Sequence, residues 1–305
     1  MKTGQGHPAT ERSLKIVVKK LSLFCFKILS FLDKIFNIIT KRSILVWFKE
    51  FIQNESYKKI QILNQKINFF IPNQLVEWRV DTFHTKEPET LDWIDTFDKS
   101  GDFIFWDIGA NIGLYSIYNS LKHKKSQTIS FEPSTSNLRV LSRNISINNL
   151  FDRIKIFTAP LTKGENKFLI MKEGEFQEGG ALNSFGENFD FEGKKFSSKM
   201  NYQIYGTNIN YLIDNKILDI PDYIKIDVDG IEHLILEGGN KYLSNKKIKS
   251  LSIEINENFT EQHEKVIEIM KKNDFKILHK KHNEDLFKND PYNKFIRIFN
   301  YIFIR

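Results

Sequence analysis

Only one of the 305 residues is cysteine, Cys25. No intramolecular disulfide can form, and a reducing compartment such as the cytoplasm fits. No apolar run is long enough to span a bilayer, because Lys27, Asp33 and Lys34 interrupt the longest candidate. No apolar stretch near the start ends in small residues, as a cleavable signal peptide requires. Internal repeats and low-complexity linkers are missing too. So is any charge excess over most of the chain: residues 61–305 carry 33 Lys/Arg against 34 Asp/Glu, whereas residues 1–60 carry 12 against 4. A nucleic-acid partner for the main body is therefore not expected. Apolar residues, at 41%, suffice for a core, and the length fits one large α/β domain with an appendage.

The basic excess belongs to residues 1–60, an amphipathic helical arm ahead of a main domain at 61–305. Residues 1–12 are polar and expected to be disordered. From Leu14 to Ile39 apolar residues recur at helical spacing, with Lys15, Lys19, Lys27 and Lys34 mostly off the stripe. Two readings fit. Residues 14–41 can lie in the headgroup layer of an anionic membrane, making the protein peripheral at the inner face. Alternatively the helix packs on the main domain or on a second subunit; the oligomeric state is not legible. Ser43–Gln53 reads as a second, shorter helix.

The main domain is organised around Phe103-Ile-Phe-Trp-Asp107-Ile-Gly109-Ala-Asn111-Ile-Gly113. An apolar run that reads as a buried strand breaks at a glycine and passes into a helix. Gly109 permits close backbone approach to a ligand, Gly113 permits helix packing, and Asp107 at the strand end is placed to reach the ligand. The spacing is not Gly-x-Gly-x-x-Gly, so the usual pyrophosphate turn is lacking. Thr128–Pro133 is a second strand ending in Glu132, 19 positions after Gly113 (132 − 113). An acid at that distance suits the ribose hydroxyls of a nucleoside. A helix over 136–148 and a strand over 154–158 complete β-α-β-α-β, a doubly wound parallel sheet. Upstream, Pro88 and its acidic neighbours Glu87 and Glu89 mark a helix start running to Lys99, with Glu87 either capping it or lining a ligand entrance. Residues 162–205, rich in glycine, with Phe176, Phe185, Phe189 and Phe191, break the rhythm as an insertion and candidate substrate cap. Strands follow at 223–226 and 251–256, helices at 231–243 and 261–273, and a hairpin of 275–278 with 295–304 adds an antiparallel strand. The run His279–His282 reads as a solvated turn.

Acidic residues end every strand that should face the crevice: Asp107, Glu132, Asp227 with Asp229, and Glu254. A ligand led by cationic and hydroxyl groups fits this set better than one led by phosphate. S-adenosylmethionine, with its sulfonium, ammonium and ribose diol, is such a ligand. The blocks Asp107-Ile-Gly-Ala-Asn-Ile-Gly113, Phe131-Glu-Pro133, Asn144–Asn148, Ile224-Lys-Ile-Asp-Val-Asp-Gly-Ile-Glu232 and Glu254-Ile-Asn256 together resemble the FkbM family of S-adenosylmethionine-dependent methyltransferases. The resemblance covers roughly residues 65–280. It implies a class I methyltransferase (Rossmann-like) α/β fold with one antiparallel strand, and O-methylation of a small-molecule, sugar, glycan or glycolipid hydroxyl. It implies that Asp107, Gly109, Asn111 and Gly113 surround the methionine end of the cofactor, that Glu132 meets the ribose, and that Asp227 lies beside the transferring methyl. Asp227 and then Glu254 are the candidates for accepting the acceptor's proton. Asp227, Asp229 and Glu254 can alternatively hold Mg²⁺ through oxygen ligands. Two positions depart from the family pattern: Asn210 stands where aspartate is common, and Asp229 where glutamate is. The rivals are a noncatalytic membrane-associated binding module on the same scaffold and an NAD-dependent oxidoreductase. The tyrosine–lysine spacings Tyr118/Lys122 and Tyr242/Lys246 suit the latter only weakly.

Overall fold

The computed structural model describes residues 8–100, 102–282 and 295–305. The chain divides after Tyr57 into two compact units, close to the boundary expected at residue 60. The first consists of helices α1 (Pro8–Thr40) and α2 (Ile44–Glu55). Helix therefore begins at Pro8, inside the stretch expected to be disordered; residues 1–7 lie outside the described residues. Between the helices Lys41 adopts φ 57°, which ends α1 sharply. The Asp33 carboxylate then accepts hydrogen bonds from the Ser43 hydroxyl (3.0 Å) and the N–H groups of Ile44 (2.5 Å) and Leu45 (3.1 Å). It caps the start of α2, where backbone donors have no helical partner.

The second unit opens with a hairpin of β1 (Tyr57–Ile62) and β2 (Gln65–Phe70). Leu63 and Asn64 turn it, both at positive φ, as a two-residue hairpin loop requires. Helices α3 (Gln74–Asp81), α4 (Phe83–Lys86) and α5 (Pro88–Asp95) follow. The helix start read at Pro88 is α5, with proline in its first turn. A proline disfavours helical backbone at the residue before it, and Glu87 sits outside the helical region at φ −137°. That break separates α4 from α5 and frees the Glu87 side chain to turn inward.

The alternation then runs β3 (Ile104–Ile108), α6 (Leu114–Lys122), β4 (Gln127–Phe131), α7 (Thr135–Ile147) and β5 (Ile154–Phe157). An antiparallel three-stranded sheet of β6 (Lys167–Glu173), β7 (Ser184–Phe185) and β8 (Met200–Gly206) fills the expected insertion. Next come α8 (Ile209–Asp214), β9 (Tyr223–Ile226), α9 (Glu232–Glu237), β10 (Ser250–Asn256), α10 (Thr260–Lys272), β11 (Lys276–Lys281) and β12 (Ile298–Ile304). Helix α9 ends at Gly238-Gly239, well short of the expected Leu243. The run His279–Lys281 belongs to β11 and is not a turn: its exposed side chains belong to a sheet edge, which period-two exposure also allows.

The main sheet has the order β11-β12-β10-β9-β3-β4-β5. The pairs β9·β10, β3·β9, β3·β4 and β4·β5 are parallel, and β12 is antiparallel to both neighbours. Alternation along β3 sends Phe105 into one core with Ile117, Leu141 and Trp93, and Trp106 into the other with Leu234, Ile253 and Val266. The strand is thus buried on both faces, which explains its unbroken apolar run. Chain order reverses at β3, flanked by β4 and β9, and ligands of open α/β sheets bind at the strand ends there.

Asn144 on α7 ties this region together. Its carboxamide accepts from Phe70 N–H (2.9 Å) and donates to the Ile112 carbonyl (2.9 Å), joining β2, α7 and the glycine loop. Asn144→Ala leaves one buried donor and one buried acceptor unpaired and should destabilise the domain by roughly 2–4 kcal/mol. Denaturant unfolding measures this; a change below about 1 kcal/mol would mean that water replaces both bonds.

Candidate active site

The loop after β3 is clamped on both sides. Gly109 and Ala110 donate N–H bonds to the Phe131 carbonyl (3.0 and 2.9 Å), and Asp227 N–H donates to the Ile108 carbonyl (3.0 Å). Gly109 lies at φ +85°, and a Cβ there would fall 1.9 Å from the Asp227 carbonyl oxygen. Only glycine fits. Asn111, at φ 50°, presents its N–H to the Glu132 carboxylate (2.7 Å), whose other oxygen accepts from Ser134 N–H (2.9 Å). The loop's Asn111 and α7's Asn137 both donate side-chain bonds to the Gly180 carbonyl (2.8 and 3.1 Å), and Gly179 N–H donates to Asn137 (2.8 Å). The insertion is thereby fastened over the loop.

Beneath it lies a cavity of about 930 Å³. That is near the upper end of ordinary ligand pockets, about 300–1,000 Å³. Gly109, Asn111, Glu132, Asp227 and Glu254 line it, as expected, and so do Phe185 and Phe191 of the insertion. Phe176 and Phe189 are not among its walls.

Asp107 and Gly113 do not line it either. Asp107 is fully buried on the α6 side of the sheet, where Ser116 Oγ donates to its carboxylate (2.6 Å) and also meets Ser130 (2.6 Å). The expected direct contact with a ligand therefore gives way to a supporting role. Register explains it: Asp107 lies inside β3, level with Lys225 of β9, two residues short of the position that Asp227 holds. Burial pushes its proton affinity up, against the pull of Lys225 and Ser116. Gly113 starts α6 at φ +88°, with space for a Cβ closed by Leu141 of α7 at 2.5 Å. Its partner is that helix, where the sequence pointed to the strand.

The residue that sequence reasoning undervalued is Glu87. It joins Asp227 and Glu254, and carboxylate oxygens of the three lie within 4.8 Å of one another. Asp229 is not in this group; its carboxylate accepts from Leu182 N–H (2.6 Å) in the insertion. Two lysines face the acids. Lys225, 1% exposed, bonds Asp227 at 2.7 Å and lies 5.0 Å from the Tyr115 ring centroid. Lys86 pairs with Glu87, whose other oxygen accepts from Tyr115 Oη at 2.8 Å. Burial opposes every one of these charges. Against it, Lys225 and Lys86 hold Asp227 below its ordinary range, and Lys86 does the same for Glu87. Glu254 has no lysine of its own: burial, then the charges of Asp227 and Glu87, raise it well above the usual carboxylate range. The two lysines thus lower two of the acids, while burial and the charges of those two raise the third. Asn210 lies elsewhere, bonded to Asn240 (2.9 Å) and Lys241 N–H (3.2 Å). His233 is buried beside Phe259 and lowered to about 4 by burial, a core residue.

The sheet order, the reversal at β3, the glycine loop against β9 and the acid that follows β4 define a class I methyltransferase fold. Residues 107–277, more than half of the chain, match the model of the methyltransferase FkbM domain, and the chain belongs to that family. Among curated proteins, methyltransferase sdnD of Sordaria araneosa is 27% identical over 154 residues. The match takes in 43% of this chain and 58% of that protein. Among solved structures, methyltransferase FkbM from Methylobacillus flagellatus KT has 18% identity and a TM-score of 0.46, over 69% of this chain and 45% of that one. Precorrin-6y C5,15-methyltransferase from Geobacter metallireducens GS-15 has 12% identity and a TM-score of 0.41, over 72% and 86%.

Gly109→Ala should cost the domain roughly 2 kcal/mol or more, because backbone strain and a clash with backbone coincide. Asp107→Asn, which keeps an acceptor for the Ser116 hydroxyl, should cost less than Asp107→Ala, about 1–3 kcal/mol. Thermal unfolding ranks the three; an Asp107→Asn defect as large as that of Asp107→Ala would show that the Ser116 bond is not what the carboxyl contributes.

Stability should also fall with rising pH. Burial raises Glu132 to about 8, Glu232 to about 7 and, with the charge of Asp227, Asp229 to about 6. Each binds its proton more tightly folded than unfolded. That stabilisation is complete below the unfolded carboxylate range and is lost as pH climbs through the three folded values. The unfolding midpoint should drop between about pH 5 and pH 8. A rise over that interval would contradict the assignment.

Proposed function

We propose that this chain is an S-adenosylmethionine-dependent O-methyltransferase acting on a hydroxyl of a sugar, glycan or glycolipid. The observation that carries the reading is the cluster of Glu87, Asp227 and Glu254, with carboxylate oxygens within 4.8 Å of one another, at the strand ends in one cavity with the Glu132 loop. The residues present fit the cofactor. The cavity wall includes Asn111, whose buried Oδ1 has no hydrogen-bond partner, and Glu132, whose oxygens each keep a lone pair beyond their backbone bonds. These acceptors suit a nucleoside's hydroxyl and amino donors, while Asp227 and Glu87 suit positive charge. When bound, S-adenosylmethionine supplies an electrophilic methyl group on a sulfonium.

The protein's own part is positioning and proton handling. Burial, and then the charges of Asp227 and Glu87 beside it, raise the proton affinity of Glu254. A cation entering among these acids offsets their field, and Glu254 can then ionise and accept the acceptor hydroxyl's proton. Asp227, tied to Lys225 and weak as a base, serves better as the electrostatic partner. This reverses the ranking from sequence. Trp78, Phe83, Phe191 and Phe196 give flat apolar walls for the CH face of a sugar, and Arg79 and Asn183 offer polar partners for its hydroxyls. No Mg²⁺ enters this reading, since Lys86 and Lys225 already neutralise two of the three grouped acids. The single cysteine, exposed and unpaired, is consistent with cytoplasmic work.

Calorimetry with S-adenosylmethionine and with NAD tests the cofactor: binding of NAD alone overturns the proposal. Methyl transfer to glycan and glycolipid extracts, read as a mass gain of one CH₂, tests the acceptor. The rate should rise with pH along a limb lying above the ordinary carboxylate range. Glu254→Gln should remove that limb and lower kcat by about 10²–10⁴-fold while the cofactor still binds. A limb that persists in the variant excludes Glu254 as the base.

A further inference from the structure

The helical arm is independent of the cavity and has its own chemistry. No residue from Ser13 to Ser56 is buried, although Leu14, Leu21, Phe24, Phe31, Ile38 and Ile39 are all more than 60% exposed. Along α1 the apolar residues 14, 17, 18, 21, 24, 25, 28, 31, 32, 35, 38 and 39 repeat with a seven-residue spacing. With residues 29 and 36 they cover roughly half of the helix circumference, wider than the two-position seam of a coiled-coil pair. Lys20, Lys27 and Lys34, also seven apart, form a column along one border of that face, continued by Lys41 just past the helix end. From Ser13 to Lys49 there are eight Lys/Arg and one acid, Asp33, and Asp33 is already engaged in capping α2. On α2, Trp47 and Phe51 stack at 6.4 Å, and both are largely exposed. No described helix is long and apolar enough to cross a membrane.

We infer that α1 and α2 form an interfacial helical hairpin that lies on an anionic lipid surface. The apolar half enters the acyl boundary, the lysine column reaches lipid phosphates from its border, and Trp47 sits at headgroup depth. Charge decides between this and a second copy of the chain. Two arms bring like charge together, 12 Lys/Arg against 4 acids in residues 1–60 of each, whereas an anionic surface answers the lysines. Asp33 makes the hairpin one device, since it holds the start of α2 against α1.

Co-sedimentation of the full chain with phosphatidylcholine vesicles, with and without phosphatidylglycerol, tests this. Binding should be about tenfold or more tighter on the anionic vesicles and should weaken with salt. Trp fluorescence should shift blue on binding, and Trp47→Phe should remove the shift. Replacing Lys20, Lys27 and Lys34 together by Gln should abolish the anionic preference. The exposed pair Leu21→Glu and Ile28→Glu should abolish binding to both vesicles without moving the thermal midpoint of the Lys58–Arg305 unit. Failure to sediment with anionic vesicles overturns the inference. So does a concentration-dependent dimer that the glutamate pair dissolves while wild-type vesicle binding is absent, which would make the arm a contact between copies.

Discussion

Lys225 is the charge on which the site depends. At 1% exposure it has surrendered nearly all hydration, and an unpaired buried cation costs several kcal/mol. Asp227 answers it directly, and Asp107 and Glu87 add to the field that keeps it protonated. With Asp227 ionised, a second free carboxylate beside it becomes unfavourable. Glu87 is lowered because Lys86 is its neighbour in sequence and space; Glu254, with no lysine of its own, is raised by burial and by the charges of Asp227 and Glu87. Two lysines thus set one of three clustered carboxyls apart from the other two. The tyrosine ring over Lys225 also donates its hydroxyl to Glu87, so the two ion pairs share one rigid aromatic.

The second dependency is mechanical. Gly180 of the insertion accepts from both Asn111 and Asn137, and Asn111 also gives its N–H to Glu132. The roof of the cavity, its floor and the acid that follows β4 are therefore joined through one residue, Asn111, by its carboxamide and its backbone N–H. Removing the insertion's hold would release the same residue that presents Glu132.

Much of this was legible in the amino-acid sequence. Period-two and unbroken apolar runs placed β3, β4, β9 and β10, and the residues at their carboxyl ends identified Glu132, Asp227 and Glu254. What the sequence could not convey was the direction of single side chains. Asp107 and Asp227 both stand near strand ends, yet one is sealed below the loop and the other opens on the cavity. Asp107 pairs with Lys225 across the sheet, so Asp227 stands two residues further toward the crevice, a register that the sequence does not show. Glu87 was ambiguous because a glutamate before Pro88 satisfies a helix cap and a cavity wall equally well; only the break between α4 and α5 decides. Ile67–Ile71, stopped by Pro72, reads as a strand and is β2, whereas β1 and α3, six and eight residues long, are too short for their periodicity to stand out.

The position of β12 carries a consequence for how the chain assembles. Strand β11 is made before β12, yet among the described strands it is hydrogen-bonded to β12 alone, which slots between it and β10. During vectorial synthesis β10 presents an open edge, and β11 has nothing to join, until Ile298–Ile304 emerges. The crevice at β3 and β9 lies on the other side of β10, among parallel strands already complete by then. The nucleoside end of the domain can therefore take shape before the sheet is closed, while its far edge waits on the last strand and is the portion most exposed to mispairing.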